Sequence, residues 1–192
     1  MSTESDRYFI AIVPPSPYVE QALELKNHFK DNFQSKASVN SPPHITLHMP
    51  FEWTASKVDK LVEALHTFSS TVPSVKIDFN NFGCFAPRVI FIQINPTQAL
   101  TDLQHQLRQF CKQKLGLLNA DYKDLPFHPH VTIAFRDLKK PAFTTAWEVF
   151  IDKKFEGGFL ADRICLMKHE QGKWKVLKEF QLTPVNLASA KS

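Results

Sequence analysis

The chain has 192 residues, of which 43% are hydrophobic and 22% charged, a composition typical of globular domains that excludes a disordered, collagen-like or coiled-coil protein. Its net charge of +4 is a mild basic excess, compatible with an anionic ligand. The three cysteines lie far apart, the first residues are polar, and no apolar run approaches the roughly 18 residues that span a bilayer, so we expect a cytoplasmic protein with free thiols.

The first half of the chain predicts the order strand, helix, strand, helix, strand. Residues 8–13 form a short β-rich run, and apolar residues spaced three and four apart then indicate a helix for which Ser16 offers the N-cap. Residues 44–49 alternate polar and apolar side chains, which predicts a strand. A second helical stripe over 58–68 leads to another alternating strand over 75–80.

The second half repeats this order. A nearly continuous apolar strand over 88–94 precedes a helix that Thr97 caps and Gly116 ends. Residues 130–135 form the next strand, and a short helix follows Pro141. The last predicted elements are the two strands of a hairpin, 163–169 and 173–182.

The repeat predicts how the chain is organised. Because the units recur with an offset of roughly 85 residues, we expect two similar lobes around a pseudo-twofold axis. The loop between them is short, which favours two lobes of one domain over independent domains. We therefore predict a single domain over 6–184, with lobes at approximately 6–82 and 88–184, and a flexible tail over 185–192.

The same short motif occurs at equivalent places in the two units. It reads Pro43-His44-Ile45-Thr46-Leu47 in the first and Pro129-His130-Val131-Thr132-Ile133 in the second. Because side chains alternate along a strand, His44, Thr46 and His48 are expected on one face. His130 and Thr132 share a face of their own strand in the same way. A pseudo-twofold axis would bring the two faces together at one cleft, with the intervening apolar residues in the cores of the lobes.

Two histidines and two threonines at one cleft suit the chemistry of a phosphodiester. Imidazoles titrate near neutrality, so one can take a proton while the other gives one. The threonine hydroxyls can hydrogen-bond the non-bridging phosphate oxygens and stabilise the charge that develops there. We expect no metal or other cofactor, because the histidines supply both proton transfers.

The paired motifs resemble those of the two-histidine phosphoesterase superfamily. Its most similar branch is the LigT-like proteins, named 2′-5′ RNA ligases or RNA 2′,3′-cyclic phosphodiesterases. Segments 7–13, 87–91 and 126–132 add to the resemblance, which covers roughly residues 6–184. It implies an α+β fold of two pseudo-symmetric lobes, each a mainly antiparallel sheet with helices packed outside, and an active-site cleft between them.

The resemblance also implies an activity. Members hydrolyse a 2′,3′-cyclic phosphate to a 2′-phosphate, and some join RNA reversibly through a 2′-5′ bond. By analogy, His44 protonates the leaving oxygen and His130 activates water. The near-symmetry of the motifs leaves this assignment open, and the diversity of the superfamily leaves the physiological substrate open.

Further residues are candidates for substrate binding. Arg136 follows His130 by six positions and would share its face in a regular strand, although a solvated arginine at a strand end explains it equally well. His48 would line the cleft beside His44. Four aromatic residues flank the motifs and could stack on a base, although core packing explains any one of them: Phe51, Trp53, Phe85 and Phe127. The predicted substrate-binding set is Thr46, Thr132, His48, Arg136, Phe51 and Phe127.

Two other classes of protein remain as alternatives. One is a nucleotide- or RNA-binding module that keeps the fold without turnover. The other is a metal protein that would use His44, His48, His128 and His130 as ligands. We favour the enzyme, since binding alone does not need a matched acid and base. Its expected partners are RNA ends or nucleotides with a 2′,3′-cyclic phosphate, and we expect a monomer that contacts no membrane.

Overall fold

The computed structural model describes residues 4–118 and 126–185. In this part of the chain, eight strands form one curled antiparallel sheet and four α-helices pack against it. The strands are β1 (Ser5–Ile12), β2 (Ile45–Thr54), β3 (Val75–Phe85), β4 (Val89–Ile94), β5 (His130–Ala134), β6 (Glu156–Ala161), β7 (Arg163–Glu170) and β8 (Lys173–Gln181). The helices are α1 (Tyr18–Phe33), α2 (Val58–Ser69), α3 (Gln98–Phe110) and α4 (Lys140–Phe150). The predicted α+β class with mainly antiparallel strands is confirmed.

The strand order places the two motif strands together at the centre of the sheet. The order is β6-β3-β4-β5-β2-β1-β7-β8, so β2 and β5 are neighbours with three further strands on each side. The chain enters the second half of the sheet after β2 and returns to the first half after β6. Strands β7 and β8 thus lie in the same half of the sheet as β1 and β2, and the lobes at approximately 6–82 and 88–184 stay a prediction. The predicted tail over 185–192 lies outside the described residues, except for Val185.

The main core lies between the sheet and the helices, on one face of the sheet. Each helix contributes an apolar stripe to it: Ala22 and Phe29; Leu61 and Leu65; Leu100, Leu103 and Leu107; Phe143, Ala146 and Phe150. On β1, Ile10 faces this core, whereas Phe9 and Ala11 lie on the opposite face with Cys165 and Met167. We call this opposite face the open face, because the helical stripes of the described residues are all on the other side. None of these helices is long and apolar enough to cross a membrane.

The helix ends follow the sequence signals in part. Thr97 caps α3 as predicted, since its side chain accepts from the backbone N–H of Leu100, and Gly116 ends the following π-helical turn with φ at +67°. The predicted cap at Ser16 is wrong. The backbone N–H groups of Tyr18 and the next residue donate instead to the carbonyl of Pro15, so the first turn of α1 is satisfied by backbone.

Strand β6 was not predicted from the sequence. It pairs with β3 over six residues at the edge of the sheet. Two glycines interrupt its apolar pattern, and they are there for close packing. Gly157 has φ at +107° beside the Tyr18 ring, and the N–H of Gly158 donates to the Tyr18 hydroxyl at 3.0 Å. The backbone of β6 approaches Tyr18 closely, which requires glycine, and the glycines remove the alternation of apolar residues that would have predicted a strand.

Candidate active site

The two motifs meet on the open face of the sheet. Ile45 of β2 lies opposite Val131 of β5, and both side chains are buried in the main core. Their neighbours along each strand therefore point to the open face. In this antiparallel register, His44 lies opposite Thr132 and Thr46 lies opposite His130. The four side chains form a compact square at the centre of the sheet, and each is half-buried.

Backbone carbonyls orient both imidazoles in the same way. His44 Nδ1 lies 2.8 Å from the carbonyl oxygen of Pro42, and His130 Nδ1 lies 2.7 Å from that of His128. A carbonyl only accepts, so both Nδ1 atoms carry a hydrogen and donate it. Each Nε2 is then the nitrogen that exchanges protons. The two residues are thus equivalent in geometry as well as in sequence.

Aromatic rings of the neighbouring strands support the two histidines. Phe9 of β1 lies 4.7 Å from the His44 ring, and Phe91 of β4 lies 4.8 Å from the His130 ring, both measured between centroids. Phe85 lies 5.4 Å from His130 and is 44% exposed, so its ring is accessible to a ligand. Sequence analysis missed Phe9 and Phe91. The sequence did contain a pattern that points to these two residues. Segments 8–13 and 88–94 are apolar on both strand faces, which indicates that both faces are covered in the fold.

Burial favours the neutral form of both histidines. Burial, then the charge of Lys26 and more weakly that of His130, lower the pKa of His44 to about 4 against the bond to the Pro42 carbonyl. Burial also lowers the pKa of His130, aided by the charge of His128 and opposed by the bond to its carbonyl. A bound phosphate anion would favour protonation, so the cleft gains a proton donor when it is filled.

Each motif strand contains a β-bulge directly after its threonine. On β2, Thr46 pairs with Ala11 but His48 pairs with Ile10, so β2 has one extra residue. On β5 the same shift follows Thr132. A bulge turns the next residue to the other face. His48 therefore faces the main core, as its partner Ile10 does, and the prediction that it shares the face of His44 is wrong.

His48 is a buried polar group beneath the site. Its side chain is 1% exposed, and Nδ1 donates to the Met49 carbonyl at 2.9 Å. Its Nε2 has no hydrogen-bond partner among the described residues. The bulge itself is held from the helix side, where the Gln104 amide of α3 donates to the Leu47 carbonyl at 3.3 Å.

We expect His48 to make the fold sensitive to acid. Burial lowers its pKa below the ordinary value of 6.5, so below that pH the unfolded chain binds more protons and the free energy of unfolding falls. The lowered pKa values of His44 and His130 likewise reduce the free energy of unfolding as the pH falls. In urea unfolding at pH 7.5 and pH 5, His48→Leu should lose less stability on acidification than the wild type. His66→Leu, at an exposed position of α2, is the control and should lose as much as the wild type. Equal losses in all three proteins would contradict this role of His48.

The remaining predicted binding residues differ from the motif residues in their surroundings. β5 ends at Ala134, and Arg136 follows in a turn with φ at +38°, exposed and over the Phe135 ring, so it does not continue the strand face of His130. Phe51 stacks on Tyr8 at 6.1 Å and packs, as Phe127 does, against the main core. Core packing thus describes the two rings, whereas a contact between Arg136 and substrate stays a prediction. For the two rings the reason is the same, since the helix side of the sheet offers more apolar surface to bury.

The four-histidine metal hypothesis does not fit the geometry. His48 faces the main core, whereas His44 and His130 face the opposite side. Residues 4–118 and 126–185 contain no group of three or more His, Cys, Asp or Glu side chains placed to hold a metal ion.

In this antiparallel sheet, the two central strands each bring a histidine and a threonine to one face. That arrangement defines the class of two-histidine phosphoesterases. The profile of the family described as the 2′-5′ RNA ligase superfamily matches residues 14–173. The chain belongs to that superfamily.

Similar proteins agree with this membership. A Geobacillus kaustophilus protein that carries the provisional name of phosphoesterase is 27% identical over 177 residues, which cover 91% of this chain and 95% of the relative. Among solved structures, the Thermus thermophilus protein TT0787 superposes with a TM-score of 0.66 at 19% identity, covering 92% of this chain and 97% of that one. Escherichia coli LigT complexed with 3′-AMP gives a TM-score of 0.62 at 20% identity, with 94% and 99% coverage. These structures confirm the LigT-like fold.

Proposed function

We propose that the protein hydrolyses 2′,3′-cyclic phosphates at RNA 3′ ends or on small nucleotides to 2′-phosphates, without a metal ion. The observation that carries the proposal is the square of His44, Thr46, His130 and Thr132, with both Nδ1 atoms held by carbonyls. A binding module does not need two imidazoles held in the same tautomer on the same face. Escherichia coli LigT, which shares the fold, binds 3′-AMP in its crystal structure, and this supports a nucleotide as the ligand class.

The proposed reaction is an in-line displacement at phosphorus. The oxygen of water forms a bond to phosphorus while the bond from phosphorus to O3′ breaks. One imidazole Nε2 accepts a proton from water, and the other donates a proton to O3′, which leaves a 3′-hydroxyl and a 2′-phosphate. The Thr46 and Thr132 hydroxyls donate to the non-bridging oxygens, where charge develops. Replacing water by the 5′-hydroxyl of another RNA end, with displacement of O3′, would give the 2′-5′ bond of a ligase.

The test is a substrate panel with identification of the product isomer. Four 2′,3′-cyclic mononucleotides and an RNA oligonucleotide ending in a cyclic phosphate should be opened to 2′-phosphates, identified by ³¹P NMR. The matched control is 3′,5′-cyclic AMP, which we expect to survive because its phosphate bridges different oxygens. Activity should be equal with and without EDTA.

Other results would replace this proposal. Tight binding without turnover would favour the nucleotide- or RNA-binding module. Loss of activity in EDTA with recovery on added metal would contradict the metal-free mechanism. A mixture of the cyclic-phosphate RNA with a 5′-hydroxyl RNA tests ligation, for which a 2′-5′ linkage is the expected product. We further propose that the protein acts as a monomer in the cytoplasm.

A further inference from the structure

One aromatic side chain differs from all the others in its exposure. Phe85, the last residue of β3, is 44% exposed, whereas every other Phe, Tyr and Trp of residues 4–118 and 126–185 is buried or half-buried. An exposed phenyl ring forgoes the free energy that its burial would give. This ring lies 5.4 Å from the His130 ring, between centroids, so the exposed aromatic surface is part of the candidate active site.

Neighbouring rings hold Phe85 in place. Its centroid lies 4.6 Å from that of Phe91 and 5.2 Å from that of the exposed His128. Phe91 is itself buried and supports the His130 ring as well. The Phe85 ring is therefore packed on one side and open on the other, so it loses little conformational freedom when a ligand covers the open side.

A glycine makes this cluster of rings possible. Gly83 pairs with Phe91 across the β3–β4 hairpin. A Cβ atom at Gly83 would clash with the Phe91 ring and would lie 2.9 Å from the side-chain oxygen of Gln93. Because Gly83 has no side chain, the Phe91 ring occupies that space and contacts both Phe85 and His130.

The two sides of the motif square differ in what they offer a ligand. Beside His44, the Phe9 ring is buried, and Trp174 lies beyond it at 4.7 Å between centroids. Trp174 is half-buried, and the Arg7 guanidinium lies over its ring at 5.5 Å. Among the described residues, an exposed ring is thus found on the His130 side of the square alone, where Phe85 provides it.

We propose that Phe85 stacks on the nucleobase of the substrate, which places the base on the His130 side of the cleft. This inference rests on the proposed function. The base is joined through one ribose to the reacting phosphate, so a nucleotide whose phosphate contacts His130 can lay its base on the adjacent ring. Every base has a π-face, so stacking favours nucleotides over sugar phosphates and discriminates weakly between bases.

The first test compares a substrate with a base and one without. Phe85→Ala should raise KM for 2′,3′-cyclic AMP roughly tenfold and leave kcat within about twofold, because stacking contributes uniform binding. Ribose 2′,3′-cyclic phosphate has no base, so its kcat/KM should be equal in the wild type and in Phe85→Ala. Phe85→Tyr keeps the ring and should retain the wild-type KM, whereas Phe85→Leu should behave like the alanine variant.

The matched control is Val149→Ala, which truncates another exposed apolar side chain, on α4. It should leave the kinetics of both substrates unchanged. An equal loss on both substrates in Phe85→Ala would mean that Phe85 only supports His130, and this would overturn the proposal. An unchanged KM for 2′,3′-cyclic AMP in Phe85→Ala would overturn it as well.

The second test needs no turnover. Isothermal titration with adenosine 2′-monophosphate should show Kd raised roughly tenfold in Phe85→Ala, while Kd for inorganic phosphate stays unchanged. In Phe85→Trp, the nucleotide should quench the fluorescence of the introduced indole and inorganic phosphate should not. Equal nucleotide Kd values in the wild type and Phe85→Ala would overturn the proposal. If the wild type turns over no cyclic phosphate, the proposed function fails, while the titration still decides the role of Phe85.

Discussion

His44→Ala and His130→Ala should each lower kcat/KM on a 2′,3′-cyclic nucleotide by on the order of 10² to 10⁴, because each removes one of two proton transfers. The double variant should be little worse than the poorer single variant, since residues that act as a unit are not additive. Thr46→Val and Thr132→Val should cost less, because one phosphate contact is lost while both proton transfers survive. Steady-state kinetics on the same substrate measures all of these effects.

The control for these variants is His105→Ala, which changes an exposed histidine on α3. It should retain wild-type kinetics, and circular dichroism should show all variants folded. Near wild-type rates in both His44→Ala and His130→Ala would exclude the two-histidine mechanism. Loss in one of them alone would mean that the other imidazole only binds.

We expect kcat/KM to show a bell-shaped dependence on pH, with its maximum at acidic pH. The active free enzyme has one imidazole neutral and one protonated, and burial lowers both pKa values, that of His44 to about 4 and that of His130 below the ordinary 6.5. On each side of the maximum, kcat/KM should come to fall tenfold per pH unit. The two apparent pKa values belong to the coupled pair.

The pH profile of kcat should differ from that of kcat/KM in a direction that can be predicted. The bound phosphodiester anion favours protonated imidazoles, so the kcat profile should lie at higher pH than that of kcat/KM. Both profiles are measured on a 2′,3′-cyclic nucleotide from pH 3.5 to 9 at constant ionic strength. A rate that rises to a plateau and stays flat to pH 9 would contradict the paired mechanism.

The sequence by itself predicted which four side chains come together on one face of the sheet. His44 with Thr46, and His130 with Thr132, were placed together because a repeated motif on alternating strands leaves few other arrangements. The pattern of apolar residues also predicted most strands and helices, because periods of two and of 3.6 residues are local properties of the chain. Family membership follows from the same residues, over 14–173.

The tertiary structure decided which other side chains reach the site. His48 was assigned to the wrong face because a bulge is a property of two paired strands, and the extra residue on β2 is visible only against β1. In the same way, Phe9 became a neighbour of His44 only when β1 and β2 paired.

Lys26 is the clearest case of a feature that only the fold decides. It lies four residues after Ala22 and three before Phe29, on the buried side of α1, where a lysine in a sequence is ordinarily taken as a solvated boundary residue. Its burial depends on two carbonyls supplied 12 and 15 residues later, by a loop with no periodic pattern. Local sequence determines which groups a chain possesses, whereas the partners that make a charge tolerable inside a protein come from segments that meet only in the folded state.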